Sequence, residues 1–161
     1  MPDPVVIHRV VIRRATRSDL LQLEQLEQRC FTSDRLSRRS MLHALSSSTA
    51  QLWVVDDNAR NLLGSGLLFF RKRSSVCRLY SIAVDTAARG RGIAQQLLAV
   101  LERAAAERGA TAMRLEVRED NPAAISLYRK NGYQVFGEIA GFYEDGCNAL
   151  RMEKMLQPVG L

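Results

Sequence analysis

The chain has 161 residues, 47% of them hydrophobic, which is enough for one domain with its own core and no disulfide or metal staple. Its 23 Lys and Arg outnumber 17 Asp and Glu for a formal net charge of +6, a balance that attracts polyanions such as nucleic acid, an acidic membrane or a multiply phosphorylated cofactor. No apolar run nears the roughly 18 residues of a membrane span, the start Met1-Pro2-Asp3-Pro4-Val5-Val6 lacks the features of a secretory signal, and Cys30, Cys77 and Cys147 are too widely spaced for a zinc motif or a disulfide framework.

In chain order, the β-branched stretch Val5 to Ile12 reads as a first strand. Thr16-x-x-Asp19 has the form of a capping box, and Leu20, Leu23, Leu26 and Cys30 then recur on one face of a helix. A second, short helix is predicted over Arg38 to Leu45. Leu52-Trp53-Val54-Val55 reads as a strand, closed by turn chemistry at Asp57-Asn58. Leu62 to Phe70 and Val76 to Val84 read as two further strands, joined through the polar loop Arg71 to Ser75.

Ile93, Leu97, Leu98, Leu101, Ala104 and Ala105 mark the inward face of the next helix, and Gly109 stands where a helix-ending glycine belongs. Met113 to Val117 reads as a strand. Asn121-Pro122 is an N-cap followed by proline at the first helical position, so Ala123 to Lys130 reads as a helix, stopped by Asn131-Gly132. Tyr133 to Ile139 and Ala149 to Met155 complete the order β-α-α-β-β-β-α-β-α-β-β. Strand and helix alternate only in the second half, which predicts an α/β chain with a mixed sheet rather than a doubly wound parallel one.

The stretch Arg89-Gly90-Arg91-Gly92-Ile93-Ala94 joins a predicted strand to a predicted helix. A glycine turn there leaves backbone N–H groups unpaired at the positive end of the helix dipole, a geometry that receives phosphate. By itself Gly90-x-Gly92 is a weak signal, because glycines also punctuate elements for steric reasons. Gln95 fills the place of the third glycine of a dinucleotide fingerprint. No Gly-Lys-Ser/Thr follows, so a nucleoside triphosphate loop is not favoured either.

The neighbours of the turn narrow the reading. Arg89, Gly92 and Ala94 follow Ile82-Ala83-Val84, and downstream come Leu115-Glu116-Val117, Asn121, Ala124, Leu127-Tyr128 and Gly132-Tyr133. In this order the set resembles the GNAT superfamily of acetyl-CoA-dependent N-acetyltransferases, and most the RimI-like branch of N-terminal acetyltransferases. The likeness runs from Ile12-Arg13-Arg14-Ala15 to Ala149-Leu150-Arg151-Met152. It implies a single domain over the whole chain, with a central, mostly antiparallel sheet that splays at the cofactor site and is flanked by helices. It further implies acetyl-CoA as cosubstrate, with the pyrophosphate on Arg89, Gly90, Arg91, Gly92, Ile93 and Ala94. The pantetheine arm would pair with the backbone of Ile82, Ala83 and Val84 and meet the amide of Asn121. The plain alternative for Asn121 is a helix N-cap.

Acetyl transfer to an amine needs a group to take the amine proton and another to protonate the departing thiolate. Tyr128 stands where the resemblance implies the general acid, and a tyrosine near pKa 10 carries its proton at neutral pH. Glu116 is the base that the resemblance implies. It points away from the face shared by Met113, Leu115 and Val117. The plain alternatives are a packing tyrosine and a salt bridge from Glu116 to Arg114 or Arg118. An α-amine titrates near 7.7–8.0 and lysine near 10.4, so a lone glutamate suits an N-terminal amine better. With only His8 and His43 in the chain, no metal is expected.

The substrate side departs from the family pattern. Where the alanine N-acetyltransferases carry a Phe-Pro-x-Pro-Trp-like segment, this chain has Cys30-Phe31-Thr32-Ser33-Asp34-Arg35-Leu36-Ser37. Phe31, Arg35 and Tyr143 are the candidate acceptor contacts, and Arg38 and Arg39 stand beside them. The plain reading has these arginines covering a helix surface; the sharper one has one of them bind an anionic group of the acceptor. Cys147 reads as structural, since no histidine lies nearby in sequence to activate it. The expected protein is cytoplasmic, a monomer or homodimer, with an amine acceptor and no nucleic-acid partner. A small-molecule amine acetyltransferase and a non-catalytic acyl-CoA-binding module are the alternatives.

Overall fold

The structure, a computed structural model, describes residues 9–59 and 61–159. Seven strands form one sheet in the order β1-β2-β3-β4-β5-β7-β6. They are β1 (Val11–Arg14), β2 (Ala50–Asp56), β3 (Leu62–Phe70), β4 (Val76–Val84), β5 (Ala112–Arg118), β6 (Gln134–Ile139) and β7 (Ala149–Met155). Every pairing is antiparallel except β4 with β5. The helices are α1 (Leu20–Cys30), α2 (Arg38–Ser46), α3 (Ile93–Glu107) and α4 (Pro122–Lys130). The result is the mixed sheet that the element order predicts, mostly antiparallel as the resemblance implies.

The first strand is the one element displaced. Residues Val5 to His8 lie outside the described residues, and the strand runs over Val11–Arg14 rather than ending at Ile12. Register marks where the pairing starts: Val11 faces Asp56, the last residue of β2, so Val10 has no β2 residue opposite it. Beyond Ile12 the ladder continues through Arg13 and Arg14. Arg13 is anchored by Asp19 at 2.8 Å and by Asp56 at 3.2 Å. Asp19 also accepts from the Thr16 N–H, 2.8 Å, the backward-reaching half of the expected capping box.

The two faces of the sheet carry two apolar clusters. Leu97, Leu98 and Leu101 of α3 pack on Leu68, Cys77, Leu79, Met113 and Leu115, with Tyr128 and Tyr133 in the same cluster. On the other face Leu20 and Leu23 of α1 and Met41 and Ala44 of α2 pack on Leu52, Val54 and Leu67. Close approach of α3 depends on Gly66: a Cβ there would lie 2.6 Å from Leu101 Cδ1. Among the described residues no helix is long and apolar enough to cross a membrane.

The sheet is split where function is expected. β4 and β5 pair only from Val76 with Ala112 to Leu79 with Leu115, although β4 continues to Val84 and β5 to Arg118. On its other side β4 has an extra residue: Leu68 faces Leu79 while Leu67 faces Ser81, so Tyr80 is bulged. A bulge bends the strand that carries it, and here it coincides with the loss of the parallel partner.

Candidate active site

The parting of β4 and β5 opens a cleft of about 660 Å³. Ile82, Ala83 and Val84 line it from β4, Glu116 from β5, Asn121 and Tyr128 from α4 and its cap, Phe31 from the end of α1, and Tyr143 from the loop between β6 and β7. Eight residues singled out from the sequence thus meet in one place. Arg89 joins them from the glycine turn.

Glu116 reaches the cleft because β5 alternates. Met113, Leu115 and Val117 are buried on the α3 side, which turns Glu116 to the opposite face. Its side chain is 12% exposed, and Oε2 accepts from Arg78 Nε at 3.1 Å. Oε1 lies 3.9 Å from Arg151 Nε. The salt-bridge partners expected for Glu116 are therefore wrong. Arg114 pairs with Glu153, and Arg118 pairs with Asp120 and Asp145. Same-face residues along one strand stand about 6.6 Å apart, whereas neighbouring strands are under 5 Å apart, so the partners come from across the sheet.

Tyr128 approaches the cleft from the other face. It is 8% exposed and packs edge-on against Tyr133, with ring centroids 5.6 Å apart. Burial first, and the nearby Tyr143 second, push its hydroxyl above the ordinary tyrosine value, so it keeps its proton. Tyr143 lies beneath the Arg118 guanidinium, 4.8 Å from ring centroid to Cζ. Burial and then the charge of Glu116 push its hydroxyl up to about 12. No histidine of the described residues lines the cleft, and His43 is exposed on α2.

The glycine turn has the form expected of an anion seat. Asp85 caps the short 3-10 turn Thr86–Ala88 through the Ala87 N–H, 3.2 Å. Gly90 and Gly92 then take φ of 83° and 73°, the left-handed region that favours glycine. The first α-helical bond of α3 runs from Gln96 N–H to the Gly92 carbonyl, 3.0 Å. The N–H groups of Ile93, Ala94 and Gln95 therefore find no carbonyl within the helix. The Ile93 side chain is in the core, 4% exposed, so only its backbone can meet a ligand. These donors, the Arg89 guanidinium and the unpaired edge of β4 fit a long, phosphorylated thioester such as acetyl-CoA.

Asn121 has a double assignment. Its Oδ1 accepts from Ala124 N–H at 3.1 Å, which makes it the cap of α4. Its side chain also lines the cleft, and with the oxygen committed only the amide hydrogens are left to donate to a ligand.

On the acceptor side, Phe31 and Tyr143 reach the cleft and Arg35 does not. Arg35 Nε turns back to the Phe31 carbonyl, 2.7 Å, near the C-terminal end of α1, where a guanidinium satisfies open carbonyls. Arg38 is held by Glu24 at 2.6 Å, and Arg39 lies exposed on α2. Two lining residues escape sequence reasoning. Asp34, at φ 56°, accepts the Glu144 N–H at 3.3 Å and ties the α1–α2 loop to the β6–β7 loop. Arg78 is the ion partner of Glu116 and stands two residues before Tyr80, on the strand alternation that exposes both; that spacing was a readable signal. Cys30 also lines the cleft, its thiol donating to the Val84 carbonyl at 3.4 Å, and burial pushes that thiol up. The Cys147 thiol donates to the Asn148 carbonyl at 3.4 Å, and its N–H donates to Asp145 at 3.0 Å.

Comparison with known proteins agrees with this geometry. Residues 20–133 match the acetyltransferase (GNAT) family. The N-terminal acetyltransferase A complex catalytic subunit NAA10 of Arabidopsis thaliana is 32% identical over 153 residues, 92% of this chain and 79% of its own. The N-alpha-acetyltransferase RimI of Mycobacterium tuberculosis is 31% identical over 148 residues, 90% of this chain and 92% of its own. Among solved structures, the ribosomal-protein-S18-alanine N-acetyltransferase from Escherichia coli superposes with a TM-score of 0.82, covering 94% of this chain and 97% of that one at 23% identity. That last likeness is one of fold.

Proposed function

Because the chain belongs to the acetyltransferase (GNAT) family, in its RimI-like branch, we propose that it is an N-acetyltransferase whose acceptor is a protein or peptide N-terminal amine. Family membership makes acetyl-CoA the acetyl donor; the acceptor is the step taken here. The observation that carries it is the meeting of Glu116 and Tyr128 in one cleft, from opposite faces of the sheet, with no histidine beside them among the described residues. A carboxylate acting through water suffices for an α-amine, which is partly neutral at physiological pH; lysine needs a stronger base. Both curated relatives above are named for N-terminal or N-alpha acetylation.

Bound acetyl-CoA supplies an activated thioester. Arg89 and the N–H groups that open α3 hold its pyrophosphate, while the free edge of β4 at Ile82 to Val84 and the Asn121 amide orient the pantetheine arm. Phe31 and Tyr143 flank the acceptor. The amine nitrogen bonds to the acetyl carbon and the carbon–sulfur bond breaks; Glu116 receives the amine proton through a water, Tyr128 gives its own proton to the departing sulfur, and the proton on Glu116 returns to Tyr128 through solvent. The protein works in the cytoplasm on this reading.

Purified protein supplied with acetyl-CoA and a panel of N-terminal peptides, amino acids, polyamines and amino sugars tests the assignment. Peptide α-amines are expected to give the highest kcat/KM. Turnover confined to free small amines would replace the reading with a small-molecule acetyltransferase, and CoA binding with no turnover would replace it with a binding module.

A further inference from the structure

Glu116 is not alone on its face of the sheet. Arg78 reaches it from β4 and Arg151 from β7. Register sets this up: Arg151 is the direct cross-strand partner of Glu116, and Arg78 is level with Arg114, one same-face step back along β5. Three adjacent strands each place one charge here, and of the three Arg78 and Glu116 line the cleft. The two contacts differ in kind. Arg78 Nε to Oε2, at 3.1 Å, is a hydrogen-bonded ion pair. Arg151 Nε to Oε1, at 3.9 Å, is beyond hydrogen-bond reach, and that Nε is a buried donor with no partner.

Arg78 is also fixed at its own end. Its guanidinium lies over the Tyr80 ring, 5.3 Å from the centroid, and Tyr80 packs edge-on against Phe69 at 5.3 Å. Leu79 with Leu115 is the last pair joining β4 to β5, so the bond from Arg78 to Glu116 spans the two strands where they separate.

We propose that Arg78 is a positioning residue for acetyl transfer: it holds Oε2 of Glu116 and leaves Oε1 as the oxygen that receives the amine proton. The proposal rests on Glu116 being the base. Among the described residues, the groups facing Glu116 are few. Arg78 faces it from β4, Arg151 from β7 and Tyr143 from the β6–β7 loop. On β5 itself, Arg114 and Arg118 are engaged with Glu153, Asp120 and Asp145. Arg78 is the nearest of these cations and the one within hydrogen-bond reach.

The test is kcat, measured with KM for acetyl-CoA and melting temperature. The variants are Arg78→Met, Arg78→Gln, Arg78→Lys, Glu116→Gln and the double variant Arg78→Met with Glu116→Gln. Each neutral Arg78 variant that folds is expected to lose roughly tenfold or more in kcat with KM for acetyl-CoA unchanged. Arg78→Lys recovers part of that loss, and the double variant loses no more than Glu116→Gln alone. If the neutral variants keep the wild-type kcat, Arg78 only ties the strands and the proposal is overturned. If Arg78→Met lowers kcat by the same factor with and without Glu116, Arg78 acts apart from it and this proposal alone fails. If Glu116→Gln keeps the wild-type kcat, the base assignment fails and takes the proposal with it.

Discussion

Tyr128 is set up to hold a proton, because the burial that packs its ring against Tyr133 also opposes ionisation of its hydroxyl. Tyr128→Phe keeps that packing and removes the proton. It is expected to lower kcat about 100-fold with little change in melting temperature; full activity would end its role as the acid. Because its hydroxyl is raised above the ordinary value near 10, the rate should show no basic limb from this group below pH 10. Tyr128 and Glu116 were legible in the sequence, the first through its motif and the second through the alternation of Met113, Leu115 and Val117. The Arg78 partner was not read, since 38 residues separate it from Glu116 and only the parallel crossover brings the two together. Arg35 was misplaced for a related reason. A long flexible side chain settles on the nearest open carbonyls, and those belong to α1 and the residue after it.

At α4 one residue stands both at the start of an element and at the cleft. Asn121 caps the helix with its oxygen and faces the cleft. Asn121→Ala should cost about 1 kcal/mol of stability and raise KM for acetyl-CoA. Asn121→Asp keeps a capping oxygen but has no amide hydrogens, so it should melt with the wild type and still raise KM. An unchanged KM in Asn121→Asp would leave Asn121 a cap and nothing more. The strands Leu62–Phe70, Val76–Val84 and Ala149–Met155 fall where their apolar patterns and turn residues put them, because local chemistry ends each one. The first strand does not, because its start is decided by where β2 ends. The splay was available only through family resemblance: the bulge at Tyr80 that coincides with it leaves no local signature in the sequence.

Over the whole molecule, acid stability depends on how β1 is fastened. Arg13 donates twice to Asp19, at 2.8 and 2.9 Å, and once to Asp56, at 3.2 Å. The Arg13 bonds hold the Asp19 carboxyl below the usual range. Its contribution is therefore complete above the ordinary carboxylate pKa and is lost as pH falls through the lower folded value. Asp19→Asn should destabilise by about 2 kcal/mol at pH 7, and urea titrations should show the gap closing as pH falls below the ordinary carboxylate value. Glu27 runs the other way. Burial raises it, and while Oε2 accepts the Leu36 N–H, Oε1 is buried with no partner. Its ionisation weakens the fold as pH rises through that raised value.

The fastened sheet, its split between β4 and β5 and the two groups facing that split all serve one claim, that acetyl is passed to an N-terminal amine. The most direct check is to offer acetyl-CoA and a peptide bearing both a free α-amine and an internal lysine, then locate the acetyl group by fragment mass spectrometry. The account predicts acetyl on the α-amine, lost when that amine is blocked. Acetyl on the lysine, or transfer that survives blocking, would contradict it.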